Sequence, residues 1–141
     1  MKLPDVNICI AAFRQDHQDH AISTAWLQRT YSADSHVGIS PQVLSSMIRI
    51  VTQPGFMAGF PSLLTDALAF GQSLVDNPKT VLVGASVSWW SHFCHLSQAS
   101  QAKGKLVADV WLAAMAVEHN CTWVSNDSDF AKFPGLKWQR P

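Results

Sequence analysis

The chain has 141 residues, with ten acidic and ten basic side chains, six histidines and no formal net charge at pH 7. Its 48% hydrophobic and 14% charged content excludes the disordered class, in which apolar residues are too few to offset chain entropy, and suits a single domain over residues 1–141 with a sizeable core. A neutral molecule has no overall field to steer a polyanion, so contact with nucleic acid has to come from local cations.

Met1 to Val6 reads as a buried first strand, and Asn7 to Phe13 as a short helix leaving it. The segment DHQDHAISTAWLQRT predicts a helix with Ala21, Ala25 and Leu27 at helical spacing and Trp26 nearby. Val37 to Ser40 is a second strand, and Pro41 suits the first turn of a helix running through Val51. Thr52 to Pro61 is rich in breakers and reads as a loop. Within it Phe56, Met57 and Phe60 form an apolar cluster, available to a partner or folded onto the core.

Ser62 is the expected cap of a helix through Leu74, Lys79 to Val83 a third strand, and Ser86 or Ser88 the start of a helix carrying Trp89, Trp90 and Phe93. Adjacent helical residues point about 100° apart, so Trp89 and Trp90 cannot share one core and one of them should meet another surface. Val107 to His119 is apolar nearly all round, which predicts a helix buried on several sides. Thr122 to Val124 is a fourth strand, Phe130 to Phe133 a turn of helix, and Leu136 to Trp138 a final edge strand. This alternation argues for α/β architecture on a mainly parallel sheet.

Three cysteines, Cys9, Cys94 and Cys121, form no C-x-x-C pair and read as small buried hydrophobes. The first residues lack a signal-peptide core, since Asp5 and Asn7 interrupt it, and no apolar run approaches the ~18 residues of a membrane span. A cytoplasmic protein without a membrane partner is the expectation. His17, His20, His92, Cys94 and His95 match no common zinc spacing.

The acids carry the chemistry. Asp5 in LPDVNICIAAF, Asp109 in LVADVWLAAMAVEHN, and Asp127 with Asp129 in TWVSNDSDF each stand at a strand end or in the first turn of a helix. Taken singly, each could be a capping or dipole residue. Grouped, they would raise one another's pKa unless a cation offset them. A hard divalent ion does so, and Mg²⁺ binds through one or two carboxylates plus waters and phosphate oxygens. Metal-assisted phosphodiester cleavage is the chemistry such a group would serve.

The blocks LPDVNICIAAF, ISPQVLSSMIRIVTQPGF and GKLVADVWLAAMAVEHNCTWVSNDSDFAKFPGLKW, in that order, resemble a PIN-domain ribonuclease over nearly the whole chain. More narrowly, they resemble the toxin of a bacterial VapBC-type toxin–antitoxin pair. The resemblance implies a three-layer α/β/α sandwich with a mainly parallel central sheet and Mg²⁺- or Mn²⁺-dependent RNA cleavage. It further implies a cognate antitoxin and a homodimer. Asp5, Asp109 and Asp127 then match the catalytic, metal-binding acids, and Asp129 a less constant fourth metal-binding acid.

Asn7 and Ser125 match small polar positions that orient water or phosphate. Arg14 and Arg49, with Lys103, Lys105 and Lys132, are the cations flanking the acids. One departure stands out: Ser46 occupies the position, three residues before Arg49, where many PIN domains carry Glu. Serine can orient substrate or water but adds no charge, so a catalytically silent module that binds antitoxin or RNA is the alternative reading.

Overall fold

Residue alternation along very short strands decides which side chain goes to which face. The computed structural model describes residues 1–33, 35–55 and 59–141. Among them, β1 (Lys2–Pro4), β2 (Val37–Ile39), β3 (Thr80–Leu82), β4 (Thr122–Val124) and β5 (Lys137–Gln139) form one sheet in the order β3-β2-β1-β4-β5. Every pairing is parallel. Leu3 lies in register with Trp123, and both point to one face; Val37, Ile39 and Val124 point to the other.

The helices cover both faces, as a parallel sheet requires. The Leu3–Trp123 face packs against α3 (Pro41–Val51), α5 (Trp89–Ala99) and α6 (Leu106–Glu118), through Val43, Met47, Leu96, Val110 and Ala113. The Val37–Ile39–Val124 face packs against Trp26 and Leu27 of α2 (His20–Ser32) and Leu74 of α4 (Leu64–Val75). Helix α1 (Val6–Phe13) is shared, with Cys9 and Ile10 in the first cluster and Ile8 and Ala12 in the second. The result is the expected three-layer α/β/α sandwich.

Close approach of β1 and β2 depends on Gly38. A Cβ there would lie 2.5 Å from Leu3 Cδ1 and 3.1 Å from Val83 Cγ2. Leu3 is fully buried and has no room to yield.

Most predicted elements form within a residue or two of their expected ends, and the departures have local causes. Ser62 does not cap α4, whose N-cap is Leu63 without a side-chain bond; the Ser62 hydroxyl instead accepts from Arg14 Nη1 at 3.0 Å. Helix α2 buries Ser23, Trp26, Leu27 and Thr30 rather than the Ala21–Ala25 stripe, because the large indole takes the core face. The turn expected at Phe130 begins earlier, as a 3-10 helix over Ser128–Lys132. Phe56 and Met57 of the apolar loop cluster lie outside the described residues, and Phe60 is exposed. Trp90 is 61% exposed while Trp89 is half-buried against Phe93 and Trp111, so the two indoles differ in burial as expected, although their rings still meet at a centroid distance of 5.9 Å. No helix among the described residues is long and apolar enough to cross a membrane.

Candidate active site

Asp5 follows β1 directly and caps α1, accepting from Val6 N at 2.6 Å through Oδ1. The residue is therefore at the C-terminal edge of the sheet, where open α/β folds place ligands. Because β1 and β4 are parallel and pair Pro4 with Val124, Ser125 emerges beside it. Ser125 Oγ donates to Asp5 Oδ2 at 2.6 Å, and Asn7 Nδ2 donates to the same oxygen at 2.8 Å and to Ser125 Oγ at 2.9 Å. Ser125 Oγ also accepts from Asp127 N at 3.0 Å, and Asn7 Oδ1 from Asn126 N at 3.3 Å. The network ties the two strand ends together and fixes where Asp5 points.

These bonds favour the charged carboxylate, yet burial dominates. Asp5 is 6% exposed, and desolvation, helped by the charges of Asp109 and Asp127, lifts its pKa to about 6 against the Ser125 and Val6 hydrogen bonds. Asp109, in the first turn of α6, is pushed upward first by burial and then by Asp127 and Asp129, while Lys132 pulls it down. Asp5 thus feels the charges of Asp109 and Asp127, residues far from it in sequence.

The four acids do not close into a ready-made cage. Among the described residues no group of three His, Cys, Asp or Glu is arranged to hold a metal ion. Asp127 is spent in part on capping the 3-10 helix, accepting from Asp129 N at 2.8 Å, and Asp129 faces solvent with Lys132 Nζ at 3.5 Å. The donor chemistry nevertheless fits a hard divalent ion: a buried carboxylate, repelled by its neighbours and without an ion-pair partner among the described residues, offers hard oxygen ligands that lack a cation. Mg²⁺ in particular needs only one or two carboxylates and keeps several waters.

The remaining expected site residues divide. Asn7 and Ser125 are part of the Asp5 network. Ser46 lies on the middle of α3 and lines a cleft whose opposite wall includes Ala108, the neighbour of Asp109. Arg14 is not free to serve the acids: its guanidinium forks onto Asp16 at 2.7 and 2.6 Å and donates to Phe60 O at 3.2 Å, because that carboxylate is only two residues away. Arg49 is exposed in the last turn of α3, about 12 Å along the axis from the helix start that abuts the sheet edge. Of the five cations, Lys132 is the one whose charge Asp109 feels.

Two residues escaped the sequence reading. Asn126 Nδ2 donates to Asp19 Oδ2 at 3.3 Å, tying the loop before α2 to the rim of the site. The nearby histidines are structural: His17 Nδ1 accepts from Asp19 N at 3.0 Å, and His20 Nδ1 lies 2.9 Å from Ala11 O. The polar run SNDSD was visible, but nothing local announced a partner 107 positions away. Cys9 is fully buried, and desolvation, then Asp5, pushes its thiol up to about 12, so it is an inert core residue.

The PIN domain family matches residues 2–136. The chain is 34% identical over 137 residues to VapC ribonuclease Mb2897 of Mycobacterium bovis, covering 97% of this chain and 92% of that protein. It is 33% identical over 141 residues to Ribonuclease VapC25 of Mycobacterium tuberculosis, covering 100% and 99%. The chain belongs to the PIN domain family. Among solved structures, VapBC2 from Rickettsia felis bound to a promoter DNA fragment matches with a TM-score of 0.70 at 17% identity, covering 99% of this chain and 97% of that one. Mycobacterium tuberculosis VapC20, a Sarcin-Ricin loop cleaving toxin, matches with a TM-score of 0.67 at 13% identity, covering 97% and 99%. These structural likenesses establish the fold.

Proposed function

We propose that this protein is the toxin of a type II, VapBC-type toxin–antitoxin pair and an endoribonuclease that hydrolyses RNA phosphodiester bonds at the C-terminal edge of its sheet. The relatives named ribonucleases across the full chain support the activity. They favour catalysis over the silent module that Ser46 raised. The antitoxin partner follows from the neighbours of the same fold, several of which are VapBC complexes.

The observation that carries the site is Asp5, buried, tightly positioned and resisting ionisation beside other acids. Asp5 and Asp109 are the proposed ligands of Mg²⁺ or Mn²⁺, with Asp127 and Asp129 assisting through water. Such an ion supplies charge neutralisation at the phosphoryl group and a lowered pKa for water. Asn7 and Ser125 hold the Asp5 carboxylate in one orientation, which removes reorganisation from the reaction. Lys132, on the rim beside Asp109, is placed to meet a phosphate of the bound strand.

Purified protein incubated with RNA should cleave it with Mg²⁺ or Mn²⁺, and EDTA should abolish the cleavage. Asp5→Asn should remove activity while leaving the fold intact by circular dichroism. Undiminished cleavage by that variant, or none by the wild type, would refute the assignment.

A further inference from the structure

We propose that the cleft between α3, α5 and α6 is a base-recognition pocket, which takes one unpaired base of the RNA and so sets cleavage preference. The inference rests on the ribonuclease reading and deepens it. The cleft encloses about 450 Å³ and is walled by Gln42 and Ser46 on α3, Phe93 on α5, and Val107, Ala108 and Trp111 on α6. That volume is within the range of small-ligand sites, which pair apolar walls with few polar groups.

Position is the first argument. Ala108 and Leu112, both lining residues, lie one before and three after Asp109, so the cleft wall and the acid share the opening turns of one helix. The cleft therefore neighbours the proposed metal-binding acid along one helix, and a strand held at Asp109 would pass beside it.

Chemistry is the second. No Lys, Arg, Asp or Glu lines the cleft, which disfavours a phosphate and suits a neutral, flat heterocycle. Phe93 and Trp111 both pack on Trp89, at centroid distances of 4.9 and 5.3 Å, and Trp89 Nε1 donates to Trp111 O at 3.1 Å. Phe93 is also stacked on Trp90, so these contacts fix an aromatic, apolar wall of the kind against which single-stranded RNA readers pack a base. Polar readout falls to Gln42 and Ser46. Neither side chain forms a hydrogen bond with another described residue, although the Gln42 amide can both donate and accept along a base edge. Ser46 keeps this floor uncharged.

The test uses phosphate-free ribonucleosides in EDTA, so that binding is read without cleavage. Tryptophan fluorescence of the wild type should respond saturably to at least one of the four nucleosides, and Val107→Phe, which fills the mouth, should weaken that binding at least about tenfold. In parallel, oligonucleotides randomised around the cut site should show a base preference that falls about tenfold in Gln42→Ala, the worth of one recognition hydrogen bond. Absence of nucleoside binding by the wild type, or a base preference unchanged in both variants, would overturn the proposal. So would protection of the cleft only on self-association or on adding antitoxin peptide. Should the wild type cleave no RNA with any metal, the ribonuclease reading fails, whereas the nucleoside titration still decides the pocket.

Discussion

Ser125 Oγ donates a 2.6 Å hydrogen bond to Asp5 Oδ2 across 120 positions of sequence, joining the ends of two adjacent parallel strands. The hydroxyl is fully buried and also accepts from Asn7 and from the Asp127 amide. Ser125→Ala should leave those donors short of an acceptor and cost roughly 1–3 kcal/mol of stability. It should also raise the Asp5 pKa further, since this hydrogen bond is the largest influence lowering it. Urea denaturation and the pH profile of RNA cleavage check both effects, and an acidic limb displaced to lower pH would contradict them.

Asp5 itself should give the metal-free protein an unusual pH dependence. Its folded pKa, about 6, exceeds the unfolded value of 3.8, so the folded state holds the proton more tightly. Stability from this group is present below about pH 4 and is lost as pH rises through 6. Asp5→Asn removes this titration, though its single amide oxygen can accept on only one side, so the variant's metal-free stability should not decline between pH 4 and pH 7.5 as the wild type's does. Mn²⁺ should raise the melting temperature of the wild type at pH 7.5 and do little for the variant. An equal Mn²⁺ shift in both proteins would place the ion elsewhere.

Glu118 shows the opposite linkage. Burial opposes its ionisation, but hydrogen bonds from Ser86 Oγ, Ser88 Oγ and Ser86 N, with His119 nearby, together hold its carboxyl below the usual range. A lowered folded pKa contributes stability that is present above the unfolded value of 4.5 and is lost as pH falls through the folded value. Glu118→Gln should cost about 1 kcal/mol at pH 7 and flatten the acid limb of stability below about pH 4.5. Thermal melts across pH 3–7 make the comparison; parallel curves for the two proteins would remove the assigned role.

Gly38→Ala should destabilise by roughly 1–3 kcal/mol, because the added methyl meets fully buried Leu3 at 2.5 Å where β1 and β2 run together. The companion change Leu3→Ala in the same chain should relieve the clash, so the double variant should lose less than the sum of the singles. Chemical denaturation of the four proteins tests this, and strict additivity would mean the two side chains do not compete for space.

How much of this was legible beforehand varied with the range of the forces involved. Helix α3 begins at Pro41 and ends at Val51 as expected, since its proline, its Ser40 cap and its apolar spacing are all local. The same holds for β4, a compact TWV run. Ser62 misled because a serine before an apolar run is a good local cap, whereas a guanidinium from α1's end claimed its hydroxyl. Arg14 differs, since the carboxylate that holds it, Asp16, is only two residues away and stood in plain view in the sequence.

By itself the sequence determined the order of strands and helices, the apolar faces that bury them, and the presence of acids at three element ends, because periodicity, capping and burial are written in neighbouring residues. Only the tertiary structure decided that Asp5 is desolvated against Ser125 and Asn7, that Lys132 rather than Arg14 stands by the acids, and that Ser46 faces Ala108 across a cleft. Those relationships depend on parallel pairing of β1 with β4 and on helices packed over the sheet. Coulombic and desolvation energies follow distance through space, which a chain acquires when its hydrophobic faces close.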